Sequence, residues 1–242
     1  MEFRRGMWAE AWLQGISARK FVALVVFGEL LIEAMGITES GGSFASMFLW
    51  SCLAYVVHAQ ILLAPDSNAD TNGFRMIGFT MRSFGIASLM LVASAVLMFT
   101  FASVFGTGQS EMLFVYGLAA FAILGLPVFV LLGTVLPAFV ADRARSVGAA
   151  VKRGKMQFGW IAGRLIIGPG VVLALSLALW ILLLIPVDYN DEFWNEDGVF
   201  QPLAVFALSV CLTVQAYATA LTAVILSRAF LRADGMPDTV PA

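Results

Sequence analysis

The sequence predicts an all-α, polytopic membrane protein with six transmembrane helices, an N-terminal amphipathic interfacial segment and both termini in the cytoplasm. Hydrophobic residues make up 60% of the chain and charged residues only 12%, whereas soluble domains carry about 25% charged residues. Several apolar runs are long enough to cross a hydrocarbon core of about 30 Å as helices. The 242 residues form a single membrane domain and leave no room for a separate soluble one.

Residues 1–20 mix aromatic and basic side chains, a pattern typical of an amphipathic helix in the headgroup layer. They are not a cleavable signal peptide, because the following run contains two carboxylates and has no convincing cleavage site. The first predicted span is the weakest, since it lies near the lower limit of about 17 residues. The six predicted membrane helices are residues 21–37, 44–64, 84–105, 113–141, 165–187 and 200–226.

Prolines within these runs affect the shape of two of the predicted helices. Pro127 and Pro137 predict kinks in the fourth helix, because neighbouring helices can cover the carbonyls that proline leaves free. Pro169 suits the first turn of the fifth helix, where its missing donor would be unpaired anyway. A broken, substrate-binding helix is the alternative, but such breaks usually lie near the middle of the membrane.

The direction of insertion follows from the basic residues. With six spans, all 14 Lys and Arg residues lie on one side, four, two, six and two in successive segments, and the opposite loops have none. If residues 21–37 did not span, the first four would lie outside, against the positive-inside rule. The sequence therefore predicts six helices in a bacterial-type inner membrane.

Two carboxylates interrupt the first predicted helix. Glu29 and Glu33 are four residues apart and share a helix face. Six spans would place Glu29 close to mid-membrane, where an ionised side chain costs about 2.5–3.5 kcal/mol. We therefore expect both to face protein, with Gln215 and Tyr217 as candidate hydrogen-bonding partners. Either packing or proton or cation transport would account for this intramembrane polar site.

His58 is the only histidine, so the chain supplies neither a bis-histidine haem nor a multi-histidine metal site. A single axial ligand to a haem or chlorophyll-type pigment is the weaker alternative to an ordinary interfacial histidine. Cys52 and Cys211 lie in apolar runs, which favours buried free thiols. No metal or cofactor is therefore predicted. The acidic segment 188–198 lacks the turn glycine of a calcium loop and predicts a solvated outer loop.

The longest polar segment, residues 142–164, separates two apolar runs. We expect it to lie along the inner headgroups, with Met156, Phe158 and Trp160 inserted in the membrane. Its basic side chains are candidate contacts for anionic lipids or for a partner protein. They are Arg143, Arg145, Lys152, Arg153, Lys155 and Arg164.

No phosphate-binding loop, serine-hydrolase elbow or zinc-protease motif is present in the sequence, and no catalytic residue is predicted. The leading hypothesis is a non-catalytic integral membrane subunit, or an assembly or accessory factor of a larger membrane complex. Its expected partners are membrane lipids and other integral membrane subunits, not nucleic acid. The alternative is a small ion- or proton-coupled transporter that uses Glu29 and Glu33.

Overall fold

The computed structural model describes residues 6–35, 42–63, 73–105, 110–143, 145–184 and 200–235, and every regular element within them is a helix. The first helices are α1 (Met7–Ser17), α2 (Arg19–Ala34), α3 (Gly42–Leu62), α4 (Gly73–Phe105) and α5 (Ser110–Ala120). The remaining helices are α6 (Leu126–Leu132), α7 (Val135–Val140), α8 (Val147–Met156), α9 (Phe158–Leu165), α10 (Val171–Leu184) and α11 (Pro202–Ala233).

Within the described residues, five segments are long and apolar enough to cross a membrane. They are Phe44–Leu62, Phe74–Val104, Val115–Val140, Phe158–Leu182 and Pro202–Ala233. The chain is therefore a multi-pass helical membrane protein. The predicted span at residues 21–37 corresponds to α2, whose 16 residues are about 24 Å long.

Helix α2 packs against α3 in the antiparallel direction. Just before α2, the Gln60 amide of α3 donates to the hydroxyl of Ser17, the last residue of α1, at 3.3 Å. Further along, Leu49 packs on Gly28, where the missing side chain leaves room for it. Beyond these, Ser46 contacts α2 through a hydrogen bond of 2.6 Å. Residue numbers rise along α2 as they fall along α3, so the two helices are antiparallel.

Two further antiparallel pairs follow in the chain. The first joins α4 to α5–α7: the Phe101 and Tyr116 rings are 6.2 Å apart at one end, and Phe139 packs on Gly78 at the other. The second joins α10 to α11, where the Ser176 hydroxyl donates to the Cys211 carbonyl at 3.5 Å. The described chain is thus built from three successive helical hairpins.

Helix α11 lies at the centre of the bundle and packs against α1, α2, α3 and α7–α10. It lies parallel to α3, since Trp50 shares a cavity with Thr219 and His58 contacts Ser227. Small side chains allow this close approach. The buried alanines of α11 are Ala204, Ala207, Ala216, Ala218, Ala220, Ala223 and Ala229.

The fourth predicted helix is divided at two places, each just before a proline. A π-helical turn, Phe121–Gly125, precedes Pro127, and a turn at Gly133 and Thr134 precedes Pro137. A proline cannot donate to the carbonyl four residues earlier, so the preceding turn changes its hydrogen bonding. The regular helix is thus interrupted just before each proline at which a kink is predicted.

The fifth predicted helix begins earlier than the sequence pattern indicates. Pro169 does not start it, but lies inside a π-helical turn, Ile166–Gly170, that joins α9 to α10. The wider turn accommodates the proline ring without ending the helix. The apolar helical segment therefore continues from Phe158 to Leu182, and no described residue there leaves the helix.

Helix α4 also begins earlier than predicted, eleven residues before Phe84. Arg75 and Arg82, predicted to lie in a polar loop, belong to its first turns. The Arg82 guanidinium donates to the Gly78 carbonyl at 2.8 Å, toward the start of the helix. A long side chain can keep its charge at the membrane surface in this way, so a basic residue does not have to end a membrane helix.

All Lys and Arg residues of the described chain lie at one end of the bundle, called here the basic end. This end is formed by α1, the start of α2, the end of α3, the start of α4, the end of α7, α8, α9 and the end of α11. Glu10 contacts Arg228, and Arg153 contacts Asp234, so the first and last helices and α8 meet there. The predicted one-sided charge is therefore a property of the folded bundle.

We expect Gly154→Ala to destabilise the protein. A methyl group at Gly154 in α8 would lie 2.6 Å from the Leu131 Cα and 2.7 Å from its carbonyl oxygen, so backbone would have to move. Such overpacking costs about 1–3 kcal/mol. Thermal unfolding in mild detergent, followed by circular dichroism, measures the loss.

The matched control is Gly148→Ala in the same helix, where a methyl group meets nothing within 4 Å. This change should be neutral or should stabilise α8 by about 0.5–1 kcal/mol, because alanine loses less backbone entropy than glycine. Equal melting temperatures for the two variants would contradict the close packing of α8 on α6.

Candidate functional site

Phe139 organises one part of the basic end. The Arg82 guanidinium carbon lies 4.1 Å from the centre of its ring, and that of Arg145 lies 5.1 Å from it. Two cations therefore share one aromatic ring, an arrangement that stabilises each by about 0.5–2 kcal/mol. The arginines come from α4 and from the segment before α8, so the ring joins two separate parts of the chain.

Asp142 adds a carboxylate to this cluster. Its φ of 55° is in the left-handed region, and its backbone ends α7 while Arg143 N donates to the Ala138 carbonyl at 2.9 Å. Glycine is the usual residue at such a helix end, since a Cβ is unfavourable there. Aspartate instead contributes ion pairs to Arg75, at 3.6 Å, and to Arg145. The three arginines and one carboxylate leave this cluster net positive.

Arg153 lies inside the protein, with 5% of its surface exposed. Its guanidinium is 3.7 Å from the Asp234 carboxylate and 5.1 Å from the centre of the Phe230 ring. Burial lowers the pKa of Arg153, and the nearby Asp234 acts in the opposite direction. This side chain holds α8 against the end of α11.

Trp160 lies between two other arginines. The Arg164 guanidinium carbon is 4.2 Å from its ring centre and that of Arg232 is 4.6 Å from it. Trp160 is half-buried. These contacts join α9 to the end of α11.

The remaining basic residues of segment 142–164 are exposed on the surface. Arg143, Lys152 and Lys155 are exposed, and so are the apolar Met156 and Phe158. Exposed lysines beside exposed apolar side chains suit the boundary between headgroups and acyl chains. Of the six residues predicted to contact lipid or a partner, Arg153 is therefore buried, Arg145 and Arg164 pack on aromatic rings, and the other three are exposed. Lipid contact remains a prediction.

Helix α1 crosses α11. Trp8 and Trp12 both pack on the Tyr217 ring, at 6.2 and 6.1 Å, and Glu10, on the opposite side of α1, pairs with Arg228. Eleven residues, about 16 Å of helix, separate Tyr217 from Arg228. Because Trp12 follows Glu10 in the chain but returns to Tyr217, α1 lies across α11 and not along it.

Glu10 and Arg228 form a two-pronged ion pair. Arg228 Nε lies 3.1 and 3.2 Å from the two carboxylate oxygens, and a second nitrogen lies 2.5 Å from Oε1. Both side chains are largely buried. Nothing in the local sequence pairs these residues, because 218 positions separate them; the one available signal is a lone carboxylate among the aromatic residues of α1.

The four residues of the predicted intramembrane polar site lie apart. The Glu29 carboxylate accepts a hydrogen bond from Ser46 at 2.6 Å, and Glu33 is exposed. Tyr217 donates to the Trp8 carbonyl at 2.9 Å, and Gln215 lines a cavity of about 280 Å³ beside Pro169. Among the described residues, no hydrogen bond joins either glutamate to Gln215 or Tyr217.

Glu29 also lies away from the middle of the apolar segment. Ser46, its partner, is the third residue of the segment Phe44–Leu62, so the carboxylate lies less than one helical turn from one end. The predicted mid-membrane depth does not agree with this contact. The reason is that Glu29 lies five residues before the end of α2, and this end packs on the start of α3.

His58 is buried, at 1% exposure, where α3, α4 and α11 meet. Its Nδ1 lies 2.7 Å from the Ser227 hydroxyl, and its ring packs on Phe79 with centres 5.7 Å apart. One side of its helix lines a second cavity, of about 260 Å³. The histidine is thus a packed and hydrogen-bonded core residue, and Ser227 is the partner that the sequence did not indicate.

Cys52 and Cys211 are both free and buried. No group of three or more His, Cys, Asp or Glu side chains in the described ranges is placed to hold a metal ion. The acidic segment 188–198 lies outside those ranges. Comparisons with protein-family models, with curated proteins and with solved structures found no match for this chain.

We expect Glu10→Gln and Arg228→Gln each to loosen α1 from α11, because either change leaves a largely buried charge without its partner. Hydrogen bonds between charged groups contribute about 1.5–3 kcal/mol, so the double variant should lose less stability than the two single losses together. Unfolding in a denaturing-detergent titration measures this coupling. Glu33→Gln, at an exposed carboxylate, is the control, and strictly additive losses would show that the pair is not coupled.

Proposed function

We propose that the protein crosses a bacterial-type inner membrane six times, with both termini and the basic end in the cytoplasm. Helix α2 provides the sixth span. The antiparallel packing of α2 on α3, through Gly28 with Leu49 and Glu29 with Ser46, supports this count. The position of all described Lys and Arg residues at one end supports the orientation, because basic residues are retained in the cytoplasm.

In this arrangement, α1 is the interfacial amphipathic segment. It crosses α11 at the basic end, and its outer side exposes Trp12, Leu13 and Ile16. Its polar side carries Glu10, which is bound to Arg228. An apolar side toward acyl chains and a polar side toward the bundle end suit a helix that lies in the membrane plane.

The proposed function is that of a non-catalytic integral membrane subunit or accessory factor, which packs against other membrane subunits. The observation that carries this proposal is the exposure of α4. Only 6% of its apolar segment is buried within the chain, against 28–50% for the other four candidate spans. Helices in membranes associate through close packing and small side chains, and Gly85 on the exposed part of α4 leaves open space.

The interior supports the same proposal. Glu10, Glu29 and His58 each have a hydrogen-bonding partner inside the chain. A pathway for ions needs polar groups that exchange partners along a route. The two cavities described above are small, and neither is lined by Glu29 or Glu33. These observations favour the subunit over the ion-coupled transporter.

Cysteine labelling tests the topology. We expect Ser17→Cys, at the end of α1, and Gly148→Cys, in α8, both to react with a membrane-impermeant maleimide from the cytoplasmic side only. Both positions are exposed. The unsubstituted protein is the control, because Cys52 and Cys211 are buried. A five-span protein, in which α2 does not cross, would label at these two positions from opposite sides.

A native-detergent pull-down tests the function. We expect the tagged protein to retain other integral membrane proteins in fixed stoichiometry. Replacing Gly85 and Val92 on the exposed face of α4 by tryptophan should remove them, because bulky side chains prevent close helix approach. The matched control places tryptophan at Leu173 and Leu177, exposed residues of α10.

The contrary result is a monodisperse protein without stoichiometric partners. If that protein also carried out ion-coupled uptake that Glu29→Gln abolishes, the transporter would be the correct function. Equal loss of partners in the α4 and α10 variants would place the interface elsewhere and remove the argument from α4.

A further inference from the structure

We propose that the crevice between α3, α4, α7 and α11 holds one acyl chain of an anionic phospholipid, whose phosphate group binds at Arg82 and Arg145. The crevice is the 260 Å³ cavity beside His58, and it opens to the surface of the bundle. This specific lipid site rests on the proposed membrane topology, which places the basic end among the inner headgroups. It is distinct from the exposed lysines of α8.

The shape of the crevice fits one hydrocarbon chain. Along α3 its lining extends from Met47 to His58, eleven residues or about 16 Å of helix. The volume of the crevice is about 260 Å³. Drug-sized ligands occupy about 300–1,000 Å³. The space is therefore long and narrow, like an extended acyl chain.

Most of the surface that lines the crevice is apolar. The Thr219 and Thr222 hydroxyls donate to carbonyls of their own helix, at 3.1 and 2.9 Å, and therefore do not require a partner in the crevice. His58 bonds to Ser227. Ala54 and Ala87 provide small surfaces from two helices. The two threonine hydroxyls and His58 Nδ1 therefore need no polar group from the occupant. A hydrocarbon chain fills a void that would otherwise lose packing contacts.

Charge complementarity identifies the head group. Leu136 lines the crevice, and Phe139 follows it by one turn of α7. The guanidinium carbons of Arg82 and Arg145 lie 4.1 and 5.1 Å from the centre of the Phe139 ring, so positive charge is concentrated one turn beyond the crevice. Asp142 pairs with Arg145 and Arg75 and neutralises only one of the three arginines. A negatively charged head group with its chain in the crevice satisfies both features.

Native mass spectrometry of the full chain, purified with an equal mixture of phosphatidylglycerol and phosphatidylcholine of identical acyl chains, tests the proposal. We expect one phosphatidylglycerol molecule retained per protein, in preference to phosphatidylcholine. Each basic residue near an anionic surface contributes about fivefold in affinity. Arg82→Gln with Arg145→Gln should therefore lower retention by at least about tenfold.

Two matched controls separate a specific site from general attraction. Lys152→Gln with Lys155→Gln removes the same charge from exposed positions of α8 and should leave the single retained lipid in place. Ala54→Leu fills the crevice and should displace the lipid, whereas Ala45→Leu, at an exposed position of the same helix, should not. If Ala54→Leu fails to fold, Ala87→Leu fills the crevice from α4.

Equal retention of the two lipids, equal losses from the arginine and lysine pairs, or a retained lipid in folded Ala54→Leu or Ala87→Leu protein would each overturn the proposal. Cysteine labelling measures the membrane topology independently of lipid binding. A correctly inserted protein that fails the lipid test therefore contradicts this site alone, whereas inverted labelling contradicts the proposed topology.

Discussion

Close packing around α11 is the constraint on which the rest of the structure depends. In a membrane, hydrophobic burial gives little drive for one helix to associate with another, so contacts must come from small side chains and a few polar pairs. The seven buried alanines of α11 supply the first. Contacts from Arg228 to Glu10, from Ser227 to His58 and from Cys211 to Ser176 supply the second. All three use different faces of one helix, which therefore sets the positions of α1, α3 and α10.

The same constraint explains the arrangement of polar groups in the interior. A buried polar side chain without a partner is costly in an apolar medium, and Glu10, Glu29 and His58 each meet a partner from another helix. These pairs fix which helices are neighbours and at which depth. A structural role is sufficient to account for each of them, and this favours a subunit that packs over a transporter that conducts.

The basic end is a folded part of the protein and not only a signal for orientation. Arg153 secures α8 against α11, and Arg82 and Arg145 share the Phe139 ring. Positive charges at this end thus also form structural contacts with aromatic rings and carboxylates. Lys152 and Lys155 remain exposed. One set of residues thereby provides both packing contacts and surface charge.

Several features follow from the sequence because they depend on local physical chemistry. Apolar length determines where helices cross, so the five candidate spans fall at the predicted runs. Proline lacks a donor, so the helix changes near Pro127 and Pro137 wherever the neighbours lie. Helix ends were less predictable. Arg82 continues α4 because its side chain reaches a carbonyl and the Phe139 ring, and that ring comes from a distant segment.

The sequence by itself determined the membrane class and the positions of the apolar helices, since each depends on composition within a single segment. Only the tertiary structure decided which polar residues meet. Glu29 contacts Ser46 and not Gln215, Glu10 pairs with a residue 218 positions away, and Arg153 points inward while Lys152 beside it points outward. The physical reason is that helix packing sets rotation and depth, and small side chains along α11 determine that packing through contacts which no local pattern records.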